Sequence, residues 1–123
     1  MTMNHIEFLK QIIPTEFPLF SIKESNGNLK VLMQPIGDRL INGSCVLDIH
    51  QTMVYFYEII QFIPWGNDQV LTASPSRQLQ LKDTTNLMLY FSLKNSYDTY
   101  NLLTLKYKQY KEELAQQEIA KDF

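Results

Sequence analysis

Apolar positions along the chain alternate between two periods, and the switches between them divide it into elements. Over residues 4–13, Ile6, Phe8, Leu9, Ile12 and Ile13 share one face of a 3.6-residue period, and Pro14 closes the run, which predicts a short amino-terminal helix. Residues 19–24 and 29–34 read as strands. Between them Ser25-Asn26-Gly27-Asn28 carries Asn-Gly, a strong short-range hairpin signal, so the first sheet element is an antiparallel pair. Residues 35–43 then form a loop holding Gly37 and Gly43.

The longest helical candidate is 45–62. Asp48, Gln51, Thr52, Tyr55 and Glu58 fall on one stripe, while Val46, Leu47, Ile49, Met53, Val54, Phe56, Tyr57, Ile59 and Ile60 cover the remainder. An apolar surface that wide predicts a helix buried on more than one side, with a sheet wrapped round it. Asn42 or Ser44 can accept from the first backbone amides, Asp48 lies near the positive end, and Pro64 follows the far end.

Residues 69–81, 86–93 and 100–108 supply three further strand candidates, with 82–85 and 95–98 as turns. The segment 107–123 reads two ways. Tyr107, Tyr110, Leu114 and Ile119 fit a helical stripe, Ala115, Ile119 and Phe123 fit one side of a last strand, and local propensity favours helix over 112–121. The expected architecture is a single α+β domain over residues 1–123, without repeats or linkers.

Composition narrows the function classes. The 123 residues are 45% hydrophobic and 20% charged, which are ordinary globular values. Eleven basic and thirteen acidic residues give a net charge of -2, with no basic block able to neutralise several phosphates, so nucleic acid is not expected as a partner. One cysteine, Cys45, excludes an internal disulfide, and the opening Met-Thr-Met-Asn-His-Ile-Glu lacks the basic and apolar regions of a secretory signal, so a cytoplasmic location is expected. Polar residues interrupt every apolar run, so no membrane span is expected. Two histidines and one cysteine match no zinc pattern, no glycine-rich phosphate loop is present, and neither a cofactor nor a metal is expected.

One stretch carries a more specific pattern. Gln34-Pro35-Ile36-Gly37-Asp38-Arg39-Leu40-Ile41-Asn42-Gly43 resembles the His-Phe-x-Gly-Asp-Pro-x-x-Pro-Gly loop of the β-hydroxyacyl-carrier-protein dehydratases, and Leu47-Asp48 falls where that family has Leu and its catalytic acid. Val54, Phe56 and Tyr57 continue the similarity, and 113–119 resembles the family's closing strand. Gln34 stands at the position of the family's histidine, Pro35 at that of an aromatic and Arg39 at that of a proline.

The resemblance implies a hot-dog fold, an antiparallel sheet round a long central helix, in a homodimer or in a heterodimer with a related dehydratase. It implies a thioester of acyl carrier protein or coenzyme A as ligand, in fatty-acid or polyketide-like biosynthesis. Asp48 and Gln34 take the catalytic positions, and Gly37, Gly43, Ser44 and Thr52 line the substrate. A glycine before a helix lets backbone amides approach a carbonyl, and the helix amino end stabilises charge developing on it. Gln34 has no protonation change to offer as a general base, so the expected activity is either impaired 3-hydroxyacyl dehydration or thioester hydrolysis by an oriented water.

Blander roles stand beside these. Asp48 can simply favour a helix dipole, His50 and Cys45 can be core residues, the aromatic cluster around Tyr55 and Trp65 can be packing, and Lys106, Lys108 and Lys111 can form a solvated edge. Two rival readings follow: a non-catalytic subunit completing the site of a related dehydratase, or an unrelated small interaction protein of the inhibitor or immunity type. A helical carboxy terminus packed outside the sheet favours the last.

Overall fold

The computed structural model describes residues 4–34, 44–66 and 68–121. Helix α1 spans His5–Glu16, and Asn4 caps it by accepting from the Glu7 amide at 2.8 Å. Pro14 lies inside α1, and the helix continues one turn past the expected stop. Leu9 and Ile13 bury its inner face.

Strands β1 (Phe20–Ser25) and β2 (Asn28–Met33) form the expected hairpin. Asn26 (φ 51°) and Gly27 (φ 78°) both occupy the left-handed region, as a two-residue turn matched to strand twist requires.

The expected helix over 45–62 is absent. That stretch forms β3 (Cys45–His50), β4 (Met53–Phe56) and the start of β5 (Ile59–Trp65). The physical reason lies in its side chains. Val46, Ile49, Val54, Tyr55, Phe56, Tyr57, Ile59 and Ile60 are β-branched or aromatic, favoured on a pleated surface and restricted in a helix. The apolar coverage that reads as a helix buried all round is that of strands whose inner faces fill the core. Gln51 and Thr52 make the β3–β4 turn, with Gln51 at φ 57°.

Strands β6 (Asp68–Ser74) and β7 (Arg77–Gln80) share the expected strand over 69–81. A five-stranded antiparallel sheet runs β1-β2-β3-β4-β7, and the β5–β6 hairpin inserted between β4 and β7 forms a second, two-stranded sheet. A short 3-10 turn, Leu81–Asp83, leads into α2 (Asn86–Lys121), a 36-residue helix.

The strands expected at 86–93 and 100–108, and the turn at 95–98, all lie within α2. A spacing of four and three residues explains this: Leu89, Leu93, Ser96, Tyr100, Leu103 and Tyr107 line one helix face, buried as far as Tyr100 and half-buried at Leu103 and Tyr107. The segment with two readings, 107–123, is helical through Lys121, and no closing strand forms over 113–119.

The core lies on the inner face of the larger sheet. Phe20, Leu29, Val31, Met33, Leu47, Ile49, Val54 and Phe56 meet Leu9, Ile13 and Phe17 from α1 and its end, and Leu89, Leu93 and Tyr100 from α2. Phe17, Phe20, Tyr90, Tyr97 and Tyr100 interlock at centroid distances of 4.9 to 6.4 Å, tying both helices to β1. The molecule is thus α+β with antiparallel strands, and no described helix is long and apolar enough to cross a membrane.

Candidate functional site

The residues singled out from the sequence do not converge on a helix start. Asp48 sits in the middle of β3, opposite Lys30 on one side and Tyr55 on the other. Gln34 follows the end of β2, exposed, and its carbonyl accepts from the Tyr100 hydroxyl at 2.9 Å. Four residues of strand separate it from Lys30, the partner of Asp48, which is about 13 Å along β2. The Ser44 carbonyl accepts from the Met33 amide, a strand pairing and not a helix cap. Thr52 lies exposed in the β3–β4 turn, where its carbonyl accepts from Leu81. Gly37 and Gly43, with Asp38 and Asn42, lie outside the described residues. An oxyanion cradle at a helix amino end after Gly43 has no helix to supply it, because β3 begins at Cys45.

Asp48 belongs instead to the outer face of the larger sheet. Cross-strand register sets Lys23, Lys30, Asp48, Tyr55 and Gln78 in one row. Two residues along, on the same face, come Ser25, Asn28, His50, Met53 and Gln80. Asp48 Oδ1 is buried without a hydrogen-bond partner. Cys45 lies beside this row, and its thiol donates to the Leu47 carbonyl at 3.2 Å. Burial, reinforced by the Asp48 charge, pushes that thiol up to about 11, so it remains protonated and poorly nucleophilic at neutral pH. Burial likewise raises the Tyr57 hydroxyl, with Cys45 and Asp48 adding to the effect.

Two of the depressions along the sheet bring polar groups together, and another, about 530 Å³, is lined by Thr52, Met53, Gln80, Leu81 and Lys82. The larger, about 580 Å³, lies where α1 and α2 begin: His5 and Asn86 stand at its rim, Thr84 and Thr85 beside them, and Ile6 and Ile49 form apolar wall. His5 Nδ1 donates to Asn86 Oδ1 across 81 residues of sequence, a pairing no local pattern announces. The amide ends of both helices are capped from within, by Asn4 on Glu7 and by Thr85 on Met88. The smaller depression, about 330 Å³, is lined by Lys23, Ser25, Asn26, Asn28, Lys30 and His50. Its two lysines were legible: a two-residue turn at Asn26-Gly27 fixes Lys23 opposite Lys30.

The remaining candidate surface is α2. Tyr107 stacks on Phe62 at 5.5 Å, its hydroxyl donates to both Asp68 carboxylate oxygens at 3.1 Å, and Lys111 reaches the same carboxylate at 3.2 Å. The Gln69 backbone amide, followed by Lys111 and Tyr107, holds the Asp68 carboxyl below its ordinary value. Beyond that clamp residues 112–120 are exposed throughout, as are 108–111. Leu102, Leu105, Tyr110, Leu114 and Ile119 are exposed by 36 to 59%.

No family model, curated protein or solved structure matches the chain. What is defined is a class, an α+β domain of antiparallel strands with a projecting carboxy-terminal helix.

Proposed function

We propose that the chain is a small interaction protein that pairs with a second copy of itself through the projecting part of α2. The observation that carries this reading is the run of α2 past its last clamp among the described residues, Lys111 on Asp68, with Leu114 and Ile119 exposed on it. A helical segment shorter than about 12–15 residues is marginal in water on its own, so this extension gains from a lateral partner. Charge selects the partner. Lys106, Lys108 and Lys111 are followed by Glu112, Glu113 and Glu118. Antiparallel pairing sets the basic half of each copy along the acidic half of the other, and a two-fold axis satisfies both halves at once. Parallel pairing sets like against like.

Two charge-reversed proteins test this. Lys106→Glu with Lys108→Glu makes the segment acidic, and Glu112→Lys with Glu113→Lys makes it basic. In light scattering the parent chain gives twice the monomer mass, each variant gives the monomer mass, and an equimolar mixture returns to the dimer. A parent that stays monomeric at several hundred micromolar, or a mixture that does not recombine, removes the reading.

The acyl-thioester proposal has its own readout. An antiparallel sheet packed on one long helix is compatible with a hot-dog-like arrangement in which α2 takes the helix's place. Dehydration or hydrolysis of a 3-hydroxyacyl carrier-protein thioester, abolished by Asp48→Ala in a folded protein, would support it. Intact thioesters would count against it.

A further inference from the structure

The β1–β2 hairpin places two lysines side by side. Lys23 and Lys30 are direct cross-strand partners on the outer face of the larger sheet, an arrangement that is destabilising for like charges. The ion pairs among the described residues are Lys10–Glu24, Arg77–Glu58, Lys94–Asp98 and Lys111–Asp68, so neither lysine is engaged, although Asp48 stands across the strand from Lys30. Both lysines open onto the depression of about 330 Å³ that Ser25, Asn26, Asn28 and His50 complete. Among the described residues no acidic side chain lines it. The Asn28 carbonyl oxygen already accepts from the Gln51 amide at 2.8 Å, which leaves its NH2 to donate. Two lysines, an asparagine and a serine thus line one depression, held on a hairpin whose turn is fixed by Asn26 and Gly27.

We infer that this depression is a binding site for a phosphoryl oxyanion, the terminal phosphate or diphosphate of a small ligand. The anion neutralises the lysine pair that the fold otherwise holds in mutual repulsion, and charge-assisted bonds from two lysines with a neutral donor between them fit tetrahedral oxygens. The sheet supplies the rigidity. Its neighbour in the row, Asp48, bounds the site on the β3 side and excludes a second anion there.

The test is a titration of the full chain with inorganic pyrophosphate at constant ionic strength, followed by amide chemical shifts. Saturating shifts confined to Lys23, Ser25, Asn26, Asn28, Lys30 and His50 are expected. Lys23→Gln and Lys30→Gln each weaken the affinity by about tenfold, the loss expected for one charge-assisted bond. Lys82→Gln, at an exposed lysine away from the hairpin, leaves it unchanged. Both hairpin lysines are exposed, so the variants fold, and relief of repulsion keeps their thermal midpoint at or above the parent's. A parallel arm with vesicles of anionic phospholipid separates sources: saturation by pyrophosphate assigns a free phosphate ligand, and a lysine-dependent response to vesicles alone assigns a lipid headgroup. Shifts that grow linearly without saturation and appear equally at Lys106 and Lys108, or variants that bind as the parent does, overturn the site.

Discussion

At the scale of single residues, burial beside Asp48 explains why the Cys45 thiol holds its proton and what that costs at high pH. Its thiol is surrounded by sheet and faces the Asp48 carboxylate, both of which oppose a thiolate, and together they raise it from 9.0 to about 11. In the unfolded chain the thiol ionises first. Between about pH 9 and 11 the unfolded state therefore holds fewer protons than the native one, and stability falls as pH rises through that window. Tyr57 and Tyr100, each raised chiefly by burial, act in the same direction at the upper end. Replacing Cys45 by alanine removes its share, so urea midpoints measured from pH 8 to 11 should decline less steeply in Cys45→Ala than in the parent chain. Equal slopes would show that the tyrosines carry the alkaline loss. Asp48 is a different case, since its buried Oδ1 lacks a partner and Lys30, directly opposite, does not close on it.

At the scale of elements, one acidic residue decides how far α2 belongs to the body. Asp68 opens β6, and it gathers the Gln69 amide, the Tyr107 hydroxyl and the Lys111 ammonium at 2.8 to 3.2 Å. Upstream of Tyr107 the helix is held by Leu89, Leu93 and Tyr100 in the core, and downstream of it Lys111 on Asp68 is the last ion pair among the described residues. Asp68→Ala should leave hydrogen-exchange protection of 89–100 unchanged and abolish it from about residue 104 onward, since the Phe62–Tyr107 stack alone must then hold that turn. Protection that survives past Lys111 would mean the helix is stable without the clamp. The Asp68 carboxyl, lowered by these donors, contributes stability above its unfolded value near 3.8 that is lost as pH falls through the folded one, so acid should release the same segment.

These elements also show what the sequence made legible. The Asn26-Gly27 hairpin and α1 follow from turn chemistry and a capped apolar stripe, both local signals. The error at 45–62 arose because a period of 3.6 can be traced through any densely apolar run, whereas the β-branched and aromatic side chains there carried the opposing signal. The converse error at 86–108 has the same root, since six- to eight-residue windows there alternate well enough to pass as strands, and only the spacing from Leu89 to Tyr107 shows one continuous helix face. The helix start expected beside the site is the strand β3. Asp48 and Gln34 were placed together by a loop pattern, and strand register separates them. The Lys23–Lys30 pair is implied by the hairpin, but that neither lysine forms an ion pair among the described residues, like the bond from His5 to Asn86, depends on tertiary placement.

At the scale of the whole molecule, the body and the projecting helix have separate claims on stability. The body is closed by side chains wholly removed from water, among them Phe56, Leu47, Ile49, Leu89 and Leu93, and none of them lies beyond Leu93 in sequence. The projection adds Leu114 and Ile119, which the monomer leaves in water. Pairing two copies through that segment links folding to association, because a partner that binds only the folded chain stabilises it in proportion to the logarithm of concentration. The thermal midpoint of the parent chain should therefore rise as protein concentration increases from about 5 to 500 μM, the hundredfold step being worth about 2.7 kcal/mol per dimer once pairing saturates. A chain ending at Lys111 keeps the Asp68 clamp and loses residues 112–120, which are exposed. Its midpoint should match that of the dilute parent and show no dependence on concentration. If truncated and full-length chains instead melt together at every concentration, the projection contributes nothing to association and the exposed stripe of α2 is ordinary surface.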